Sequence, residues 1–414
     1  MGLVEIGLLF AGLILGPFIN FAIYSFAYFP RPISPWQSLP PGIIGRKGRT
    51  KIPIVGWLFR GGESIHFGRA FWLRPFLIEL ATPIALVFLY RYSMTGAFMP
   101  PGLVAVPLST LQHQFIAFAL LITLMTIATF IDFDERTIPD LVTIPGTILG
   151  LVGSVVLPDW RLHGLPSPVF PVFPVLLGNA EPIHANSPDP WNPLWNGNVG
   201  LGFGLLFWSL WCFGMADRRW ITRRGSKKAV VYFFEVLRRS PSTKMLLGLW
   251  LVGFLCLSVA YCVVGPSRWE SLLSSLFGIG LGGMLVWGFR VVACWAMGQE
   301  ALGFGDVTLM AMIGSFFGWQ IVWLGFFLAP FFGMLIVVFV WILTRDNAFP
   351  FGPYLCAATL YCMLNWVNLW AWCSNFFLPP QFLIPIFLGL LITLGAMLWM
   401  IQALKQKMGM AISR

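Results

Sequence analysis

Apolar runs of membrane-crossing length recur along almost the whole of this chain, and no other feature constrains its fold so tightly. A bilayer core about 30 Å thick takes about 20 apolar residues per helical crossing. Runs of this kind fall at 3–28, 75–97, 113–131, 141–157, 199–216, 246–265, 270–297, 306–318, 320–343, 354–374 and 382–403. The first, seventh and ninth are long enough to tilt, whereas the fourth and eighth are short. Only 10% of the 414 residues are charged, too few to cover a water-soluble body of this size, for which about 25% is usual. The expected fold is an all-α, polytopic transmembrane bundle of about 11 membrane segments. Met1 to Tyr28 carries Glu5 and has no cationic leader with a small-residue cleavage site, so it is expected to stay as the first membrane helix.

Basic residues orient the bundle. With the amino terminus outside, all of the 26 Lys and Arg except Arg91, Arg161 and Arg268 fall on or near the inner side. Such an asymmetry is what insertion by the positive-inside rule produces. The net charge of +10 is then accounted for by topology and needs no nucleic-acid partner. The carboxyl terminus is expected inside.

Two long segments lie between the runs. Residues 158–198, rich in Pro, Asn and Trp, read as an outer loop lying on the membrane interface. Residues 217–245 pair basic residues with the apolar stretch Ala229 to Leu237. They suit either a helix on an anionic inner leaflet or a basic stop-transfer loop. The seven cysteines all lie in apolar runs, form no CxxC pair and are absent from the first 211 residues, so they read as buried structural thiols.

Ionisable groups at the edge of a membrane helix are costly and therefore informative. The third run ends in Phe130-Ile131-Asp132-Phe133-Asp134-Glu135-Arg136-Thr137-Ile138-Pro139-Asp140. The seventh leads into Gly298-Gln299-Glu300-Ala301-Leu302-Gly303-Phe304-Gly305-Asp306. Both are expected at the inner face. Two carboxylates that share one proton can hydrolyse a peptide: the ionised one deprotonates water while the protonated one donates to the substrate carbonyl. Glycines beside such an Asp let the backbone approach an extended peptide. A plainer reading stands next to this one. Asp306 and Asp140 each begin a helical run, where Asp serves as an N-cap, and Asp134 and Glu135 can simply be solvated among headgroups.

Taken together, these residues resemble the type IV prepilin peptidases, membrane aspartic proteases of the GxGD class. The resemblance rests on Ile131-Asp132 with Ile138-Pro139-Asp140, on Gly303-Phe304-Gly305-Asp306, and on Pro350-Phe351-Gly352-Pro353. The stretch from Ile14 to Tyr24, the inner-loop sequence Ile52 to Leu58 with Arg60-Gly61, and Glu79 are also similar to the family. The resemblance implies Asp132 and Asp306 as catalytic residues. It implies Asp134, Glu135, Asp140, Glu300, Gly303, Gly305, Pro350, Gly352 and Pro353 as substrate-binding or supporting positions. It further implies cleavage of a short basic leader from prepilin or pseudopilin precursors of a type IV pilus or type II secretion system, at the inner membrane of a bacterium. The six acids Asp132, Asp134, Glu135, Asp140, Glu300 and Asp306 are expected to form an acidic patch that steers a cationic leader. The expected organisation is an N-terminal region 1–112 with a basic loop 29–74, a peptidase region 113–374 with an inserted helical pair around 199–265, and a C-terminal helix and tail 375–414.

Three departures bear on function. Many members of the family hold zinc through two cysteine pairs in the first inner loop, and some methylate the new amino terminus with S-adenosylmethionine. The loop here has no cysteine, so no zinc is expected, and methyl transfer with S-adenosylmethionine stays open. Thr308 stands where the family has Lys. The chain also crosses three times, rather than once, on its way to the second motif. A polytopic transporter, with ionisable groups at broken helices, and a non-catalytic scaffold descended from a peptidase are the alternatives. Arg290 and Glu79, the candidates for the former, are more simply explained by core pairing or snorkelling.

Overall fold

The computed structural model describes residues 2–38, 46, 48–100, 106–164, 181–216, 235, 239–297, 302–344, 350–374 and 380–407. The apolar runs form helices: α1 (Leu3–Ser25), α2 (Leu73–Met94), α3 (Leu108–Glu135), α4 (Asp140–Val156), α5 (Asn198–Gly214), α6 (Pro241–Val263), α7 (Pro266–Met297), α8 (Phe304–Phe317), α9 (Trp319–Thr344), α10 (Gly352–Leu364), α11 (Trp366–Cys373) and α12 (Pro380–Lys407). Among the described residues, α1, α2, α3, α6 and α7 are long and apolar enough to cross a membrane. The extended structure described is one antiparallel pair of two-residue strands, β1 (His163–Gly164) and β2 (Glu181–Pro182). The expected run 354–374 is not one helix. The Asn365 side chain donates to Tyr361 O, and its backbone (φ −108°, ψ 21°) leaves the helical region, which separates α10 from α11.

At the centre lies α8. Every residue from Asp306 to Phe317 is buried, as expected for a helix that is apolar all round. It packs on α7, α4, α9, α10 and α3. Gly278 of α7 and Gly314 of α8 make the closest of these approaches: a Cβ on either would strike the carbonyl of the other. In a membrane, where lipid is as apolar as a side chain, such backbone contact is what holds helices together. By contrast α6, half of the expected inserted pair, buries only Leu257 and presents its remaining apolar surface outward. Two cysteines on it, Cys256 and Cys262, are exposed rather than buried, because the helix lies on the rim of the bundle. Most of 217–245 lies outside the described residues.

The loops at the two ends are more highly ordered than their composition suggests. Within 158–198, the described parts do not simply lie on an interface: Trp160, Arg161, Leu162, His163, Ile183, His184 and Ala185 are all buried. Indole and amide donors tie this segment to the helices. Trp319 Nε1 donates to Ala185 O (2.9 Å), Trp366 Nε1 to His163 O (3.0 Å) and Gln320 Nε2 to His184 O (2.7 Å). Backbone carbonyls are costly to bury unpaired, and here the helices supply the partners. At the other end, the loop between α1 and α2 is organised around Glu63. Its carboxylate accepts from Arg46 Nε (3.2 Å) and Nη2 (2.9 Å) and from Arg60 Nε (2.9 Å). Burial pushes the Glu63 carboxyl up, yet the two guanidinium partners outweigh it and hold it below the usual carboxylate range. Arg60 is 2% exposed and lies over the Trp57 and Phe71 rings.

Candidate active site

Asp132 sits in the last turn of α3, 4% exposed. The helix stops four residues later because Arg136 adopts the left-handed conformation (φ 56°, ψ 32°) and its N–H closes on Asp132 O. The chain then returns through Ile138 and Pro139 into α4. Asp306 is the third residue of α8 and 6% exposed. Gly303 is the extended N-cap of α8, and the Asp306 carboxylate turns back to accept from the Gly303 backbone. This is the N3-to-N-cap half of a capping box, and an acid in a first helical turn faces the positive end of the helix dipole. Neither Asp306 nor Asp140 is itself the N-cap. Asp140 is the first residue of α4, Pro139 precedes it as the cap, and its side chain is exposed.

The two carboxylates, 174 positions apart in sequence, are brought within electrostatic reach of each other. Ile138, 4% exposed, packs against the glycines beside each of them, Gly305 and Gly352. A Cβ on Gly305 would lie 2.9 Å from Ile138 Cβ and 3.0 Å from its backbone N, so the loop before α4 can rest against the start of α8 only where residue 305 has no side chain. Gly352, the first residue of α10, completes the arrangement. Its N–H donates to Asp132 Oδ2 (3.0 Å), and a Cβ there would sit 2.5 Å from that oxygen and 2.9 Å from Ile138 Cδ1. Pro350 and Phe351 lead into this turn. Pro353 follows as the second helical residue, where its missing N–H costs nothing. Pro350-Phe351-Gly352-Pro353 is thus a device that presents one backbone donor to one carboxylate.

The remaining acids do other work. Asp134 is held by Arg74 in a bidentate pair (2.8 and 2.7 Å) and by Arg31. Glu135 accepts from the backbone N–H groups of Tyr28 (2.8 Å) and Phe29 (2.9 Å), which fastens the end of α1 to the end of α3. The patch of six free acids is therefore smaller than expected. Asp134 and Glu135 are consumed by the bundle, Glu300 lies outside the described residues, and Asp140 stays exposed beside the buried pair. Glu79 is also structural: 1% exposed, it accepts from Asn20 Nδ2 (3.0 Å) and from Ile54 N (2.7 Å).

Two residues that sequence reasoning did not place at the site belong to its surroundings. Ile138 had been quoted only as part of a motif. Arg290, read as a snorkelling or paired cation, donates from Nε to Leu302 O (2.9 Å), stacks 5.8 Å from the Phe304 ring and lies within electrostatic reach of Asp306. The signal for it was its being the one basic residue inside the seventh apolar run. Thr308 is 3% exposed and returns its hydroxyl to Gly305 O (3.0 Å). It lines a wholly apolar cavity of about 210 Å³ formed with α5 and α7. Among the described residues no cluster of three or more His, Cys, Asp or Glu is placed to hold a metal ion. The loop between α1 and α2 offers no thiolate, so its donor set does not fit a thiolate zinc site.

A helical membrane protein with two buried carboxylates within electrostatic reach of each other is the class these observations define. Residues 243–339 match the type IV leader peptidase family. Among curated relatives, a prepilin leader peptidase/N-methyltransferase of Pseudomonas putida is 30% identical over 138 residues, covering 30% of this chain and 48% of the relative. One from Pseudomonas aeruginosa is 34% identical over 97 residues, 23% of this chain and 33% of the relative. The leader peptidase HopD of Escherichia coli is 33% identical over 107 residues, 25% of this chain and 64% of the relative. The chain is thus similar to the type IV leader peptidases over residues 243–339. It spans about half or less of the two Pseudomonas relatives it matches. The family segment includes Asp306 and not Asp132. No solved structure matches the chain.

Proposed function

We propose that this protein is a membrane-embedded aspartic endopeptidase that removes the short basic leader from prepilin or pseudopilin precursors. The observation that carries this reading is that Asp132 and Asp306 lie buried within electrostatic reach of each other, each carboxylate held by a glycine backbone of its own. Two buried carboxylates within electrostatic reach titrate as a coupled pair, because placing both charges together in a desolvated site is unfavourable. The ionised partner takes a proton from water, which attacks the scissile carbonyl. The protonated partner donates to the carbonyl oxygen, and collapse of the tetrahedral species returns that proton to the leaving amine.

Several finer assignments go with this reading. The eleven apolar runs cross the membrane with the amino terminus outside and the carboxyl terminus inside, so that the pair opens on the inner face of a bacterial inner membrane. The charge asymmetry supports that orientation. Asp140, exposed next to the pair, is the acid best placed to meet a cationic leader. Pilus or type II secretion components are the partners, and the basic segment 217–245 meets the anionic leaflet. The chain divides into 1–112, 113–374 with its inserted pair, and 375–414. The relatives are also named N-methyltransferases.

The test is co-expression with a candidate prepilin, comparing wild type with Asp132→Asn and Asp306→Asn and following leader removal by mass. Loss of cleavage in both variants is expected. Cleavage persisting in both removes the dyad assignment. A wild type that cleaves no pilin-like substrate favours the scaffold reading.

A further inference from the structure

At the end of the bundle remote from the two aspartates lies a polar cavity of about 260 Å³, lined by Arg161, Glu181, His184, Glu270, Ser271 and Ser274 among others. Its walls come from the segment after α4, from β2 and from the first turns of α7. Ser267, Glu270, Ser271 and Ser274 recur at the i, i+3, i+4, i+7 spacing that puts them on one helix face. A cavity of this size holds about nine waters at ~30 Å³ each, or one small polar group of a ligand.

Arg161 is the unusual member. It is 1% exposed, and only Nη1 has a partner, Ser271 O at 2.8 Å. Nε and Nη2 have no acceptor among the described residues, and neither does the neighbouring Ser271 hydroxyl. Nη2 faces the turn at Gly318 that ends α8, where the negative end of the helix dipole offsets part of its charge without accepting a hydrogen bond. Burial draws the guanidinium down to about 10, so it is still protonated at neutral pH. Glu270 lies within electrostatic reach but forms no ion pair with it among the described residues. A buried cation with two idle donors is costly unless something accepts from them.

The charges on the walls select the ligand. A simple anion would satisfy Arg161 and the positive end of α7, but would sit against Glu181 and Glu270. A simple cation would satisfy the two acids and leave Arg161 unpaired. His184 is held near neutral, drawn down to about 4 by burial, and contributes no third charge at physiological pH. A group carrying both signs a few ångströms apart suits all of them. We infer that this cavity binds a zwitterionic phosphate–ammonium group, the phosphate on Arg161 and the α7 serines and the ammonium on Glu270 and Glu181. Trp191 lies on the cavity wall, and indoles of this kind mark the headgroup level of a membrane. In the proposed orientation this is the outer face. The source is then either an ethanolamine phospholipid or free phosphoethanolamine.

The experiment uses the full chain, reconstituted in nanodiscs containing equal phosphatidylethanolamine and phosphatidylglycerol and released for native mass spectrometry. A separate titration uses free phosphoethanolamine in detergent. Preferential retention of phosphatidylethanolamine is expected, with Glu270→Gln and Arg161→Lys each weakening it about tenfold, the loss of one charge-assisted contact. If free phosphoethanolamine binds and the lipid is not retained, the chemistry stands and the source is soluble. Equal retention of phosphatidylglycerol, binding of neither probe, or retention unchanged in Glu270→Gln overturns the inference. Glu270→Gln keeps the test decisive should Arg161→Lys fail to fold, and cleavage by the distant aspartates reports independently on folding and on the peptidase reading.

Discussion

Replacing Gly352 by Ala isolates the placement of Asp132 from its chemistry. Alanine keeps the N–H that donates to Asp132 Oδ2 at 3.0 Å, so no hydrogen-bond donor is lost. The added Cβ would fall 2.5 Å from that oxygen, whereas ordinary contact begins near 3.4 Å. The carboxylate must therefore retreat by about 1 Å, with Ile138 Cδ1, 2.9 Å from the same Cβ, blocking one way out. Misplacing a reacting group by about 1 Å costs about 100-fold in rate, or ~2.7 kcal/mol of barrier. Overpacking a close site costs about 1–3 kcal/mol of stability, which a bundle of this size absorbs. The assay is a time course of leader removal from a purified prepilin in detergent, run beside a thermal melt. Gly248→Ala, where a Cβ meets nothing within 4 Å, serves as control. The expected result is a kcat about 100-fold down, KM little changed and the protein folded. Wild-type kcat in a folded Gly352→Ala protein would refute the claim that this glycine positions a catalytic carboxylate.

The other predictions concern neighbouring groups. Ile138→Ala should cost about 2–4 kcal/mol as a cavity and slow cleavage more than Ile138→Val, because it loosens the packing against Gly305 and Gly352 that places the two acids; paired melts and rates read both. Asp134→Asn should lower stability by about 1–3 kcal/mol, since Arg74 and Arg31 lose a charged partner, yet should leave cleavage within a few-fold of wild type, unlike Asp132→Asn. His163 and His184 are drawn down from 6.5 to about 4 by burial. The folded state then binds fewer protons than the unfolded one between those values. Their contribution is complete above pH 6.5 and is lost as the pH falls toward 4, by up to about 3 kcal/mol each. Melts between pH 7 and 4.5 should show a fall in stability that His163→Gln reduces.

Periodicity and apolar length made the helices legible because a membrane allows few alternatives to a fully hydrogen-bonded helix. The break at Asn365 escaped because Leu364 and Trp366 on either side are as apolar as the runs themselves, and only the side-chain bond to Tyr361 reveals it. That Asp132 and Asp306 come within electrostatic reach was legible through spacing and resemblance, whereas the fate of their neighbours was not. Nothing in the order Asp132-Phe133-Asp134-Glu135 says that the second and third acids will be taken by Arg74 from α2 and by the backbone after α1. Those partners lie 60 and 107 positions away. Composition likewise misread 158–198, because Pro- and Asn-rich segments look solvated until Trp319, Gln320 and Trp366 are seen to supply their carbonyls with donors.

The substitution at Thr308 takes on a different meaning once Arg290 is located. As a sequence difference, it removes a cation two residues beyond Asp306 and weakens the likeness to a working peptidase. In the folded chain, position 308 lines an apolar cavity walled by Leu210, Trp211, Met215 and Trp287, which α5 and α7 build. A lysine there would carry its ammonium into that apolar wall, at a cost of several kcal/mol unless it found a partner. Threonine instead returns its hydroxyl to Gly305 O. The positive charge near the second motif comes from α7 instead, where Arg290 fastens to Leu302 O and the face of Phe304. The flank of α8 at Thr308 is thus apolar, and the cation within reach of Asp306 sits on the adjoining helix.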